Sequence, residues 1–244
     1  MLVAAAFLPH PPALVPEVAA GAAHELADVR EACAVALQRV LEAHPDLVVV
    51  VGDDRARSTY AAGSAGSFAG FGVPVAVALP GSELDVENAS RRAVGLPLSL
   101  AVAAWCMNRV GPWPSVRAEG VPATMSAPDA VTLGARLADS ADHVALIVMG
   151  DGAATLTERA PGYLVEGAEQ WQKAVTSALA DADTAAIAAI AADDARRFQA
   201  VGRVPWQVAA GAAAETTPWI SELLADDAPY GVAYAVARWQ RASA

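Results

Sequence analysis

Three stretches of the chain are uninterrupted apolar runs that stop abruptly at polar or turn residues. Residues 2–8 run into Pro9-His10-Pro11-Pro12, residues 47–51 into Gly52-Asp53-Asp54, and residues 144–149 into Gly150-Asp151-Gly152. Runs this short and this apolar suit strands buried on both faces, as in a mostly parallel sheet with helices on either side. A fourth strand is predicted over 73–79, with Pro74 placing it at an edge or a strand start. A fifth follows Pro229-Tyr230-Gly231, over 232–236.

Between these runs the period changes from two to about 3.6. Residues 22–43 carry apolar side chains at Leu26, Val29, Cys33, Leu37, Val40 and Leu41, with charges on the other face. Shorter helices are predicted over 97–109 and 129–139, the latter opened by Ser126 or Pro128. Others follow over 166–179 and 184–199, and a last one is expected from Pro218 with Thr217 as its cap. Alternation of this kind predicts α/β architecture: one three-layer α/β/α domain spanning 1–244, with a mostly parallel or mixed central sheet. Residues 61–72, rich in glycine and serine, read as a surface loop or a lid.

Composition narrows the function classes. The chain has 244 residues, within reach of one large domain. Its 55% hydrophobic content owes much to alanine, which adds helix propensity and little buried area. No apolar run reaches the ~18–20 residues of a membrane span, and no basic residue precedes the opening apolar segment as a secretory signal would require. The net charge of −11 argues against nucleic acid or an anionic membrane as partner. Cys33 and Cys106 lack metal-ligand spacing and read as free buried thiols, which suits a cytoplasmic location.

Candidate chemistry lies where the three runs end. Ligands of open α/β sheets bind beyond the carboxyl ends of the strands, and there stand His10, Asp53 with Asp54, and Asp151. An imidazole with two or three carboxylates suits a divalent first-row ion with open positions for water or substrate. Each residue also has an ordinary explanation. His10 could bond a neighbouring loop. Asp53 and Asp54 could cap a helix or pair with Arg55 and Arg57, and Asp151 could close an Asx turn. The chain has no Gly-x-Ser-x-Gly elbow, no phosphate-binding glycine loop and no Cys–His pairing signal.

These residues resemble the catalytic B subunit of class III extradiol ring-cleavage dioxygenases, the LigB-like family. The opening strand into Pro9-His10-Pro11 is similar to the one that delivers that family's first histidine ligand. The run from Pro45 to Asp54 resembles the strand carrying its second histidine, and Gly150-Asp151-Gly152-Ala153-Ala154 the turn carrying its acid/base histidine. Ala210-Gly211-Ala212-Ala213-Ala214-Glu215, with Trp219 following, is similar to the approach to its glutamate ligand. The resemblance implies a LigB-like, phosphorylase/hydrolase-like fold and a non-haem ferrous or other divalent ion held by His10, Asp54 and Glu215. Asp53 or Asp151 would then orient water or substrate.

The departures are specific. Asp54 stands where the family has a histidine, and Ala153 or Ala154 where it has the acid/base group. A set of one histidine and two carboxylates is more oxygen-rich and suits manganese or magnesium, or weakly bound iron. Loss of the acid/base would cost ~10²–10⁴-fold in rate. The resemblance thus implies the fold more directly than ring cleavage. It leaves three readings open: a metal-dependent enzyme on a small aromatic or oxygen-rich substrate, a non-catalytic binding or subunit-interaction relative, and a metal-assisted hydrolase. It also implies assembly as a homodimer or with a small partner subunit, and Trp105, Trp113, Trp206 and Trp219 could serve an interface as readily as a core.

Overall fold

The computed structural model of the chain describes residues 1–81, 95–214 and 218–242. Strand β1 (Leu2–Leu8) is followed by a short helix α1 (Pro16–Ala19), a 3₁₀ stretch and helix α2 (Ala27–Glu42). Then come β2 (Leu47–Asp53), β3 (Ser58–Ala61), β4 (Ala65–Ser67), β5 (Ala76–Ala78), α3 (Leu98–Met107) and β6 (Ser115–Val121). After these lie α4 (Ala127–Ala138), β7 (Val144–Met149), α5 (Ala168–Ala180), α6 (Thr184–Ala188), α7 (Ala192–Arg197) and α8 (Arg203–Ala212). The antiparallel pair β8 (Trp219–Asp227) and β9 (Tyr234–Arg241) completes the order.

A seven-stranded mixed sheet in the order β3-β6-β2-β7-β1-β9-β8 forms the middle layer of an α/β/α domain. Its four central strands, β6, β2, β7 and β1, are parallel, and β3, β9 and β8 are added antiparallel at the edges. Alternation along β2 divides the core. Val48 and Val50 point to one face with Leu37 of α2 and Leu100 of α3, while Val49 and Val51 point to the other with Leu133 of α4 and Val208 of α8. All four valines are fully buried. That explains a strand written as a continuous aliphatic run.

Helices α4 and α8 touch backbone to backbone. A Cβ at Gly134 would lie 1.9 Å from the Val208 carbonyl oxygen, and one at Gly211 would lie 2.1 Å from that of Val131. Glycine is needed at both positions for the layers to close. Trp239 of β9 anchors that strand: its ring lies 4.4 Å from Phe7 and its Nε1–H donates to the Leu179 carbonyl at 2.7 Å.

Several elements depart from the sequence reading. The strand expected over 73–79 shrinks to Ala76–Ala78 and pairs with β4 in a separate two-stranded sheet, since Pro74 offers no donor to a ladder. Where a helix is expected from Pro218 there is a strand, because Trp219–Asp227 finds β9 as a partner along its whole length; Thr217 lies outside the described residues. The helix over 184–199 is broken at 189–191 into α6 and α7. The loop over 61–72 contains the end of β3, strand β4 and a 3₁₀ turn at Ala69–Phe71. The helix over 127–138 fits its expected start: the Ser126 hydroxyl accepts from the Asp129 N–H, and Pro128 sits in the first turn. Among the described residues no helix is long and apolar enough to cross a membrane.

Candidate functional site

The carboxyl ends of β1, β7 and β2 lie side by side, so the residues that follow them share one edge of the sheet. The Gly150 N–H still pairs with the Leu8 carbonyl at 2.9 Å, holding the two chains in register one step beyond the strands. At the next step the Asp151 carboxylate takes over. Its Oδ1 accepts the backbone N–H of His10 at 2.7 Å, a charge-assisted bond that fixes the Pro9-His10-Pro11 corner. Asp151 is thereby joined to a different strand instead of closing a local Asx turn.

The His10 imidazole is only 7% exposed. Its Nδ1 lies 3.8 Å from the same Asp151 Oδ1, too far for a hydrogen bond, and has no other hydrogen-bond partner. A buried ring nitrogen without a partner is unusual, since each such group costs about 1–3 kcal/mol. His24 and His143 contrast with it: His24 Nδ1 is 3.2 Å from the Gly21 carbonyl, and His143 Nδ1 is 3.0 Å from Asp46 at an exposed site.

Asp53 and Asp54 are adjacent in sequence and are used differently. Burial raises the Asp53 carboxyl above the usual range; His10 opposes the rise and Asp54 adds to it. The Asp53 carbonyl accepts the Ser99 hydroxyl at 2.7 Å, which ties the strand end to the start of α3. A side chain at Gly52 would collide with that hydroxyl, its Cβ lying 2.6 Å from Ser99 Oγ.

Asp54 turns toward β6 and β3, on the side of β2 away from His10. Its Oδ2 accepts the Tyr60 hydroxyl at 2.8 Å and its Oδ1 the Arg55 N–H at 2.6 Å. It lies so close to Gly120 that a Cβ there would be 2.4 Å from Oδ2. Burial, and then this bond to Asp54, raise the Tyr60 phenol above its ordinary value. The structure therefore brings His10, Asp151 and Asp53 to one neighbourhood and commits Asp54 to another. The third residue of the ligand set, Glu215, lies outside the described residues. The Ala210–Gly211–Ala212 stretch before it is the buried end of α8, and the chain continues into β8. Among the described residues no group of three or more His, Cys, Asp or Glu side chains is placed to hold a metal ion.

The turn after β7 offers no proton-carrying side chain at Ala153 or Ala154. It is held by backbone bonds instead: the Ala153 N–H donates to Gln172 Oε1 at 2.9 Å, the Ala154 N–H to the Phe198 carbonyl at 2.9 Å, and the Ala153 carbonyl accepts from Ala233. Ser99, Gln172 and Tyr234 beside this site, and Tyr60 beside Asp54, are polar neighbours that the sequence did not single out. Burial, then the nearby Asp151 charge, push the Tyr234 phenol far above its ordinary value. No short motif marks any of them, because each arrives from a separate element. Cys33 and Cys106 are free and buried, as expected, and burial raises the Cys33 thiol and pushes Cys106 up to about 12, so neither is an available nucleophile.

No protein-family model matches the chain. No curated protein matches it either. Among solved structures, the chain is similar to the crystal structure of the uncharacterized protein JW3007 from Escherichia coli K12. The TM-score is 0.59 at 13% identity, covering 98% of this chain and 99% of that one. At that identity the likeness extends to the fold.

Proposed function

We propose that the chain is a divergent LigB-like protein whose strand-end site takes a small aromatic or oxygen-rich molecule, with His10 as its central donor. One observation carries this reading: a buried imidazole nitrogen without a partner at the carboxyl edge of a parallel sheet. Such an edge is where α/β folds bind ligands, and an unmet buried nitrogen there is a place held for one. Asp151 fixes the corner that carries the ring. Asp53, whose affinity for a proton is raised by burial, is the carboxylate suited to exchange one with a bound hydroxyl.

The family's metal ion fits this site only in part. His10 Nδ1 is a suitable donor and Asp53 lies near it, but Asp54 is committed to Tyr60 and Arg55, and a third donor would have to be Glu215. A divalent ion bound there would supply Lewis-acid activation of a coordinated oxygen. The binding and positioning roles of His10, Asp151 and Asp53 do not depend on it.

A thermal-denaturation series with Mn²⁺, Fe²⁺ and Zn²⁺ tests the reading. Saturation at a hundred times the dissociation constant stabilises by about 2.7 kcal/mol. The expected result is such a rise in wild type and none in His10→Ala. A melting temperature indifferent to all three ions, and to a panel of catechols and hydroxy acids, would favour the non-catalytic relative, a reading that the commitment of Asp54 to Tyr60 also supports.

A further inference from the structure

On the α4–α8 side of the sheet, next to the carboxyl end of β6, a groove of about 940 Å³ runs between the 123–127 connection after β6, the 188–192 connection between α6 and α7, and the first turn of α8. This size falls among small-molecule sites, which span about 300–1,000 Å³. The groove is built by two polar side chains one helical turn apart. Arg203, 4% exposed, donates from Nη2 to the carbonyls of Ala123 and Met125 at 2.6 and 3.0 Å, fixing one wall. Gln207, fully buried, donates from Nε2 to the carbonyls of Ala188 and Ile190 at 3.0 and 2.9 Å, fixing the other. The two are joined by a bond from Arg203 Nη1 to Gln207 Oε1 at 2.9 Å.

Every acceptor on Arg203 is neutral. A guanidinium has five N–H groups; three are used here, leaving the Nε–H and one Nη1–H. Among the described residues no carboxylate pairs with it, and burial holds its pKa below the ordinary arginine value. The described lining contains two arginines, Arg196 and Arg203, and no aspartate or glutamate. Arg196 is exposed and already paired with Asp193 at 2.6 Å, so the unbalanced charge is that of Arg203. This local sign opposes the chain's net charge of −11. The rest of the lining is mainly alanine, with Met125, Ile190, Val201 and Val204.

We propose that this groove binds a small amphipathic anion, its apolar body against Met125, Ile190 and Val204 and its carboxylate or phosphate head facing Arg203. The groove shares no lining residue with the strand-end cluster, which it adjoins where the Gly202 N–H donates to the Asp151 carbonyl at 3.0 Å, and its test makes no use of His10.

Calorimetric titration of the full chain with decanoate and with decanol tests this. The expected result is one decanoate per chain, bound at least about tenfold more tightly than decanol, since a charge-assisted bond is worth that factor. Arg203→Gln should bring the acid down to the level of the alcohol. Ala189→Trp, at an exposed position on the wall that makes no bond to Arg203, should abolish both and keeps the test decisive if Arg203→Gln does not fold. Equal affinity for acid and alcohol, undiminished binding by Ala189→Trp, or no binding of either at millimolar concentration would each overturn the proposal.

Discussion

The α4–α8 layer and the carboxyl edge of the sheet treat their polar groups in opposite ways. In the layer, Arg203 and Gln207 are buried and spend their hydrogen bonds on the walls around them, while Gly134 and Gly211 let two backbones meet. At the edge, His10 is equally buried and its Nδ1 is left without a partner, beside an Asp53 that burial makes reluctant to ionise. The first arrangement ties down both walls and leaves only the Arg203 charge unbalanced; the second leaves a buried ring nitrogen unmet. Unmet polarity of this kind is a mark of a site kept for something other than folding.

The contrast can be broken most forcefully at the helix contact. Gly211→Val would drive a side chain into the Val131 backbone, and a loss of about 3 kcal/mol or more, or failure to fold, is expected in urea denaturation. Next comes Gln207→Leu, which orphans the Ala188 and Ile190 carbonyls and one arginine donor; about 2–3 kcal/mol should be lost by the same measurement. At the edge the scale drops. His10→Leu keeps the backbone N–H that Asp151 binds and removes a ring whose Nδ1 has no partner, so stability should change by less than about 1 kcal/mol while ligand response disappears.

The smallest effect has the most diagnostic sign. Because the folded state raises the Asp53 carboxyl, ionising it costs stability as pH rises through the interval between its unfolded and folded values. Asp53→Asn should therefore raise the melting temperature near neutral pH, and the gain should vanish once pH falls below the ordinary carboxylate range. A melting temperature lowered at neutral pH would mean that Asp53 is a stabilising residue and not a strained one.

The parts of the molecule that could be read from sequence are those whose burial is uniform. Strands β1, β2 and β7 are apolar on both faces and stop at polar residues, so both the strands and the position of His10 and Asp151 at their ends were legible. Strand β6 was not, because Arg117, Glu119 and Gly120 interrupt it; Glu119 is buried yet accepts the Thr59 hydroxyl of the neighbouring strand, a partner no local pattern reveals. Helix α8 was missed for a related reason. It is buried on all sides and carries Arg203 and Gln207 inward, so it lacks a polar face to set its period. At the site, sequence placed Asp53 and Asp54 together at one strand end. Which of them faces His10 depends on Tyr60 and Gly120, which arrive from two other strands.

The central claim is that His10 Nδ1 is held open for a ligand. Nitrogen-detected NMR of the four histidine rings, recorded before and after one equivalent of Zn²⁺, tests it directly. The account predicts a large displacement of the His10 Nδ1 resonance, with those of His24, His44 and His143 unmoved. A His10 signal that stays in place, or four rings that respond alike, would contradict it.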